Sequence, residues 1–275
     1  MHSLEAFHQI ILHTLRVFPL WFVLLYVFVL GTIVGSFLNV CIYRIPLGIS
    51  IVSPRSSCPS CHHGIPWYHN IPILSYLWLR GKCSFCRERI SPVYPFVEFL
   101  TGVYFLMLLI FFGPYRSFVI YAVFGSIMIA LIFIDYYHRL LPRVITFPGV
   151  ALGFASSFVN PYVNPWQSGL GILLGALLPI SVLVAYKWLR KKEGMGHGDI
   201  VMLAMVGAFL GWKMVFVVIL FASFAGVLVG IPIIYIMKKG SDFPLPFGTF
   251  IGAVALLAVF WGRWIWNLYF FRLGV

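Results

Sequence analysis

The stretch Gly194-Met195-Gly196-His197-Gly198-Asp199 leads directly into the apolar run Ile200–Leu210. An ionised carboxylate costs about 2.5–3.5 kcal/mol at the centre of a membrane helix and less near the interface, so an acid beside an apolar helix is a candidate for function. Glycines lack a Cβ, which lets the backbone adopt positive φ and lets another segment approach closely. The stretch therefore predicts an apolar helix with an acidic catalytic residue at its start.

The rest of the chain has the composition of a polytopic membrane protein. Hydrophobic residues make up 61% of the 275 residues and charged residues 9%, against about 45–50% and about 25% in soluble domains. The net charge of +12 would also suit a nucleic-acid-binding protein, but the basic residues are concentrated in a few loops, where they set topology. We expect an all-α polytopic membrane protein that contacts membrane lipids and binds no nucleic acid.

The apolar runs along the chain predict about eight transmembrane helices, because a helix needs about 20 apolar residues to cross a bilayer. Turn-forming pairs such as Gly113-Pro114 and Asn160-Pro161 separate the runs. The fourth and sixth runs are short. The predicted helices are 18–42, 96–113, 117–135, 144–159, 168–188, 200–212, 214–237 and 247–270.

The distribution of Lys and Arg predicts the orientation. With the N-terminus outside, 14 of the 19 basic residues fall in cytoplasmic loops, which the positive-inside rule favours. This orientation places residues 43–95 in the cytoplasm, between the first and second helices. The 14 residues are Arg44, Arg55, Arg80, Lys82, Arg87, Arg89, Arg139, Arg143, Lys187, Arg190, Lys191, Lys192, Lys238 and Lys239.

Two CxxC pairs, Cys58-x2-Cys61 and Cys83-x2-Cys86, lie in this cytoplasmic segment. Their spacing suits four thiolates arranged tetrahedrally around Zn²⁺ in a small zinc-ribbon-like fold, and four thiolates leave no open position for catalysis. Two disulfides or a redox role are the competing interpretation, which a cytosolic location disfavours because thiols are kept reduced there. Unligated cysteines are the third interpretation.

Other potential ligands are weaker candidates. His62 or His63 could replace a thiolate, and Cys41, within the first predicted helix, is expected to serve packing. The segment between the CxxC pairs and around them is rich in Pro and Gly, so a metal would supply the core that it lacks.

Asp135 is the second acidic candidate, at the end of the third predicted helix in Ile132-Phe133-Ile134-Asp135. The predicted topology puts Asp135 and Asp199 on the cytoplasmic side at similar depth. Two carboxylates held close together share a proton, so one can act as general base on a water while the other polarises a peptide carbonyl and protonates the leaving amine. The alternative is that each aspartate only caps or flanks a helix end, and an N-cap would account for the position of Asp199.

These motifs, in this order, resemble the prepilin peptidase family, also called type IV leader peptidases. The Gly196-x-Gly198-Asp199 pattern is also similar to that of presenilin-type intramembrane aspartyl proteases. The sequence departs from the family pattern at three positions: Arg143 stands where Asp is usual, Val201 where Lys is usual, and Thr249 where Pro is common. The supporting motifs are Gly35-Ser36-Phe37-Leu38-Asn39-Val40, Tyr43-Arg44-Ile45-Pro46, the two CxxC pairs, Asn70-Ile71-Pro72, Leu79-Arg80-Gly81-Lys82-Cys83, Ile90-Ser91-Pro92-Val93-Tyr94-Pro95 with Glu98, Ile134-Asp135 with Leu141-Pro142, Glu193 to Asp199, and Pro246-Phe247-Gly248.

The resemblance implies a bifunctional enzyme of the bacterial inner membrane. Such enzymes cut the leader from type IV prepilins and from type II secretion pseudopilins at the cytoplasmic face, here with Asp135 and Asp199. Many then methylate the new N-terminal residue with S-adenosylmethionine. Methyl transfer rests on the resemblance alone, since no glycine-rich methyl-donor motif is present. Its polar candidates are Asn39, Arg44, Asn70 and Arg80.

The resemblance also implies a division into three parts. Residues 1–42 form the N-terminal segment with the first helix, 43–95 the four-cysteine zinc segment where methyl transfer is expected, and 96–275 the aspartyl peptidase domain. The competing functions are a peptidase without methyl transfer, a transporter or channel that uses the two aspartates, and a non-catalytic zinc-anchored assembly factor.

Overall fold

The computed structural model describes residues 19–190, 196–236 and 246–271. Each of the eight predicted helices coincides with a helix, and a short additional helix lies in the segment between the first two. No β-strand is formed by the described residues, which contain only two isolated β-bridges. The helices are α1 (Leu20–Arg44), α2 (Leu74–Trp78), α3 (Val93–Phe112), α4 (Arg116–His138), α5 (Arg143–Ser156), α6 (Pro165–Arg190), α7 (His197–Leu210), α8 (Trp212–Ile236) and α9 (Phe247–Trp266).

Six of these helices, namely α1, α3, α4, α6, α8 and α9, are long and apolar enough to cross a membrane. The other two predicted spans are the 14-residue helices α5 and α7. At 1.5 Å per residue such a helix is roughly 21 Å long, which is less than the bilayer core of about 30 Å. The chain is a multi-pass membrane protein.

The chain divides into two compact units, Met1–Ala122 and Val123–Val275, with the boundary inside α4. In the first unit, α1 packs against α3 through glycines, because a Cβ on Gly35 would lie 2.7 Å from the Cα of Glu98 and one on Gly31 would lie 2.8 Å from the Cα of Gly102. Such small-residue contacts are how membrane helices approach closely. The segment between α1 and α3 is mostly loop, with one 3-10 turn at Trp67–His69 and the short α2.

In the second unit, α7 lies at the centre and contacts α5, α6, α8 and α9. Every residue from Met202 to Phe209 is buried. A helix that is apolar on all sides is buried on all sides, which explains this central position. The closest approach joins α6 and α7, where a Cβ on Gly171 would overlap the backbone of Gly207.

Candidate active site and metal centre

The two candidate catalytic aspartates lie at helix ends in the second unit. Asp135 is in the last turn of α4 and Asp199 is the third residue of α7. Both are buried, with 5% and 8% of their surface exposed. Burial of a carboxylate is costly unless it is hydrogen-bonded or serves a function, so the partners of each acid define the site.

Asp135 is held by the N-terminus of α9. The Thr249 backbone N–H donates to Asp135 Oδ2 at 2.7 Å, and the Thr249 hydroxyl donates to the same oxygen at 3.0 Å. Thr249 is the third residue of α9, and its N–H is among those with no partner inside the helix. A helix N-terminus favours a negative charge beside it, so α9 both orients and stabilises the Asp135 carboxylate.

Close packing beside Asp135 depends on Gly248 and Leu141. A Cβ on Gly248 would lie 3.0 Å from Asp135 Oδ2 and 2.9 Å from Leu141 Cδ1, and a Cβ on Gly198 would lie 2.7 Å from Leu141 Cβ. The Leu141 side chain therefore packs against the starts of both α9 and α7. Leu141 thus contacts both the helix start beside Asp135 and the helix that carries Asp199.

The Asp199 side chain caps the N-terminus of its own helix, α7. The N-cap residue is Gly196, and the Asp199 carboxylate accepts a hydrogen bond from the Gly196 backbone N–H. This is the reach-back contact of a capping box, so the capping alternative describes part of the geometry of Asp199, although not as the N-cap residue itself. Gly196 does not use the positive φ that a glycine permits, since its φ is −72°, and Gly198 continues the helix. Glu193, Gly194 and Met195 lie outside the described residues.

The structure brings the two aspartates into electrostatic reach of each other, because the charge of Asp135 acts on Asp199. One turn deeper, a Cβ on Gly252 would lie 2.5 Å from Ile132 Cγ1 and 3.1 Å from Met202 Cε. The helices α4, α7 and α9 thus meet in an apolar layer that supports the acidic pair. Two buried carboxylates whose charges act on each other suit proton sharing and acid–base catalysis.

In the first unit, the four predicted cysteines converge. The Sγ atoms of Cys58, Cys61, Cys83 and Cys86 all lie within 4.8 Å of one another, and those of Cys58 and Cys86 are 3.8 Å apart. Zn–S bonds of about 2.3 Å in a tetrahedron place the sulfurs roughly 3.8 Å apart. All five cysteines are free, so the disulfide interpretation is not supported. The four sulfurs can hold a zinc ion, and Cys41 lies apart from them, buried in α1.

The two CxxC knuckles have the same fold, repeated after 25 residues. The isolated bridge Ser57–Gly64 corresponds to Lys82–Arg89. His62 and Arg87, each following the second cysteine of its pair, both have positive φ, at 56° and 62°. In sequence, only the cysteines and a few flanking residues match between the two segments. The repeat is a structural one that places two knuckles around one centre.

Backbone donors prepare the first thiol of each knuckle for a metal. The Cys61 backbone N–H lowers the pKa of Cys58 to about 7, and the Cys86 backbone N–H lowers the pKa of Cys83 in the same way. A lowered pKa favours the thiolate, which is the form that binds metal. Among the described residues, neither His62 nor His63 belongs to the group of potential metal ligands. The ring of His63 instead packs on that of Phe85, with the ring centroids 3.6 Å apart.

Comparison with known proteins decides the family. The family model for the bacterial peptidase A24 N-terminal domain matches residues 29–112, and the model for the type IV leader peptidase family matches residues 122–231. The chain is 33% identical to the prepilin leader peptidase/N-methyltransferase of Aeromonas hydrophila over 272 residues, covering 89% of this chain and 94% of the relative. The chain belongs to the type IV leader peptidase family.

Further relatives in the type IV leader peptidase family carry the same name. The Pseudomonas aeruginosa protein is 34% identical over 274 residues, covering 91% of this chain and 94% of its own length. The Myxococcus xanthus protein is 44% identical over 207 residues, and there the match covers 75% of this chain but 62% of the relative. No solved structure matches the chain.

The three departures from the usual pattern of type IV leader peptidases lie at distinct places in the second unit. Arg143 is exposed at the start of α5, and Val201 is half-buried in α7, two residues after Asp199. Thr249 contacts Asp135 directly. Proline, common at this position in the family, has no N–H and no hydroxyl, so it could not make either hydrogen bond. Sequence reasoning noted Thr249 only as a departure and missed this contact.

Proposed function

We propose that this protein cleaves the leader peptide of type IV prepilins with Asp135 and Asp199, and then methylates the new N-terminal residue with S-adenosylmethionine. Membership of the type IV leader peptidase family supports the reaction type, and the names of the relatives support both steps. The observation that carries the proposal is that two buried aspartates, 64 residues apart in sequence, lie within electrostatic reach of each other, with Leu141 packed against the helix starts beside both. We assign cleavage to residues 96–275 and methyl transfer to residues 43–95 with the end of α1.

We place the protein in the bacterial inner membrane with the N-terminus outside and both sites facing the cytoplasm. The excess of Lys and Arg in the corresponding loops supports this orientation. The free thiols of the four-cysteine cluster also suit a reducing compartment. We include type II secretion pseudopilins among the substrates, because they carry the same kind of leader, and we expect lipid to cover apolar side chains that α1 exposes, such as Trp21 and Phe37.

The hydrogen bonds at the two acids suggest how the roles divide. Asp135 accepts two hydrogen bonds from Thr249, and Asp199 accepts one from Gly196. Hydrogen bonds donated to a carboxylate favour its ionised form. We therefore assign Asp135 as the general base that takes a proton from the attacking water. Asp199 is the protonated partner that donates to the peptide carbonyl and afterwards to the leaving amine.

Zinc has a structural part in this scheme. When bound, it would hold the two knuckles together through Cys58, Cys61, Cys83 and Cys86, and four thiolates leave it no open coordination position. The knuckles shape the loops of residues 45–92. Cleavage of the peptide bond is assigned entirely to side chains of the second unit.

Purified full-length protein, incubated with a prepilin, tests the proposal. We expect cleavage by the wild type and loss of at least about a thousandfold in rate for Asp135→Asn and for Asp199→Asn, because each change removes a proton-transfer group. Glu88→Gln, the same kind of change at an exposed carboxylate in the first unit, is the matched control and should cleave normally. Normal cleavage by either aspartate variant would overturn the assignment, and mass spectrometry of the mature N-terminus tests methyl transfer separately.

A further inference from the structure

The first unit contains a cavity of about 610 Å³. It is bounded by the end of α1, the start of α3, and the loops that carry the cysteine knuckles. Ligand sites commonly have volumes of about 300–1,000 Å³, so this cavity has the size of a small-molecule site. Among the polar candidates from the sequence, Asn39, Arg44 and Asn70 line it, and Arg80 lies in a separate cleft.

A buried carboxylate forms part of the cavity wall. Glu98 is 8% exposed, and its Oε2 accepts the Ile73 backbone N–H at 2.8 Å. The Ser36 hydroxyl also donates to this carboxylate. No Lys, Arg or His of the described residues forms an ion pair with Glu98. A buried carboxylate without a cationic partner is costly, and a cationic group of a ligand can serve as that partner.

A buried guanidinium lines the same cavity. Arg44 is 9% exposed, and it donates to the backbone carbonyls of Ser50 at 2.9 Å and Arg55 at 3.4 Å. Within the described parts of the chain, neither Glu98 nor any other carboxylate pairs with it. Glu88 and Arg89 also line the cavity but are exposed, so Glu98 and Arg44 are its two buried, unpaired charged groups, one of each sign.

A third group on the wall also lacks a partner. His69 Nδ1 is buried and makes no hydrogen bond, although the imidazole lines the cavity. The aromatic rings of Tyr43, Tyr94 and Phe85 line the cavity as well. The whole set complements a ligand with an ammonium, a carboxylate and a flat ring system.

We propose that this cavity binds S-adenosylmethionine by its α-amino-acid end, with Glu98 accepting from the α-ammonium and Arg44 donating to the α-carboxylate. The inference rests on the methyl-transfer half of the proposed function and adds the site and its two charged contacts. The methyl donor combines a zwitterionic end with an aromatic base, which matches the charges and rings of the wall. The tight α1–α3 contact at Gly35 fixes Glu98 next to Ser36.

Binding of three related ligands to the full-length, zinc-loaded protein tests these contacts without relying on activity. The probes are radiolabelled S-adenosylmethionine, its decarboxylated form, which lacks the carboxylate, and methylthioadenosine, which lacks the whole amino-acid end. We expect Arg44→Gln to weaken binding of S-adenosylmethionine by about tenfold or more and to leave the decarboxylated form unchanged. We expect Glu98→Gln to weaken both of these ligands and to leave methylthioadenosine unchanged.

The controls separate the possible failures. Arg55→Gln changes an exposed arginine outside the cavity and should bind all three ligands as the wild type does; zinc content and melting temperature report folding. Variants that bind like the wild type, or that lose all three ligands equally, would overturn the assignment of the two contacts. A wild-type protein that cleaves prepilin but neither binds nor uses S-adenosylmethionine would instead overturn the methyl-transfer half of the proposed function, and this inference with it.

Discussion

The two halves of the molecule hold their polar groups in place by different means. In the second unit, Asp135 and Asp199 are positioned by helix ends and by glycines that let helices pack closely. In the first unit, the polar groups of the cavity lie on loops around four cysteines, with little regular structure between α1 and α3. Rigid helices suit proton transfer between fixed groups, whereas metal-held loops can enclose a ligand. The comparison predicts that metal loss will damage the first half selectively and that helix-packing changes will damage the second.

Removal of a zinc ligand should have the largest effect. We expect Cys83→Ser to lose its zinc and to become sensitive to protease between residues 45 and 92, because structural zinc supplies roughly 10–16 kcal/mol in small zinc domains. The helices, which do not depend on the metal, should keep their circular dichroism. Metal analysis and limited proteolysis check this prediction. Cys41→Ser changes the buried cysteine outside the cluster, and as the control it should retain zinc. A Cys83→Ser variant with full zinc content and full protease resistance would contradict the prediction.

A smaller effect is expected from the glycine contact between α6 and α7. Gly171→Ala places a Cβ against the Gly207 backbone, and we expect it to lower the free energy of unfolding by about 2–3 kcal/mol. Gly169, on the same helix, has open space around it, so Gly169→Ala should be neutral or stabilising by up to about 1 kcal/mol. Denaturation in detergent micelles measures both. Equal stabilities for the two variants would mean that this close approach does not organise the second unit.

The smallest effect is expected at Thr249. Thr249→Val removes the hydroxyl donor to Asp135 and keeps the backbone donor, so we expect the cleavage rate to fall by about three- to tenfold, equivalent to about 1 kcal/mol. Thr249→Ser keeps both donors and should remain close to the wild type. Initial rates on a prepilin compare the two. If valine and serine behaved alike, the hydroxyl would have no part in positioning Asp135.

Local patterns predicted the helices and the four-cysteine cluster well. Apolar runs such as Ile200–Leu210 identify a buried helix because the signal lies in consecutive residues of the sequence. The two CxxC pairs predicted a four-sulfur cluster because the chemistry of zinc fixes both ligand type and spacing. These features need no knowledge of how distant segments pack.

Contacts between distant segments were not predictable in the same way. The Leu141 side chain between Gly198 and Gly248, and the hydrogen bonds from Thr249 to a carboxylate 114 residues earlier, follow from tertiary packing. The unpaired charges of Glu98 and Arg44 likewise become visible only when α1 and α3 lie side by side. Sequence reasoning therefore proposed the aspartates but could not describe what holds them.

If Asp135 and Asp199 act as one catalytic unit, the cleavage rates of the two single Asn variants and of the double variant will show it. When two residues serve the same proton-transfer step, replacing either one already removes most of the rate that both provide. We therefore expect the double variant to be about as slow as either single variant. Independent contributions would instead multiply. A double variant whose rate loss equals the product of the two single losses would show that the aspartates act independently.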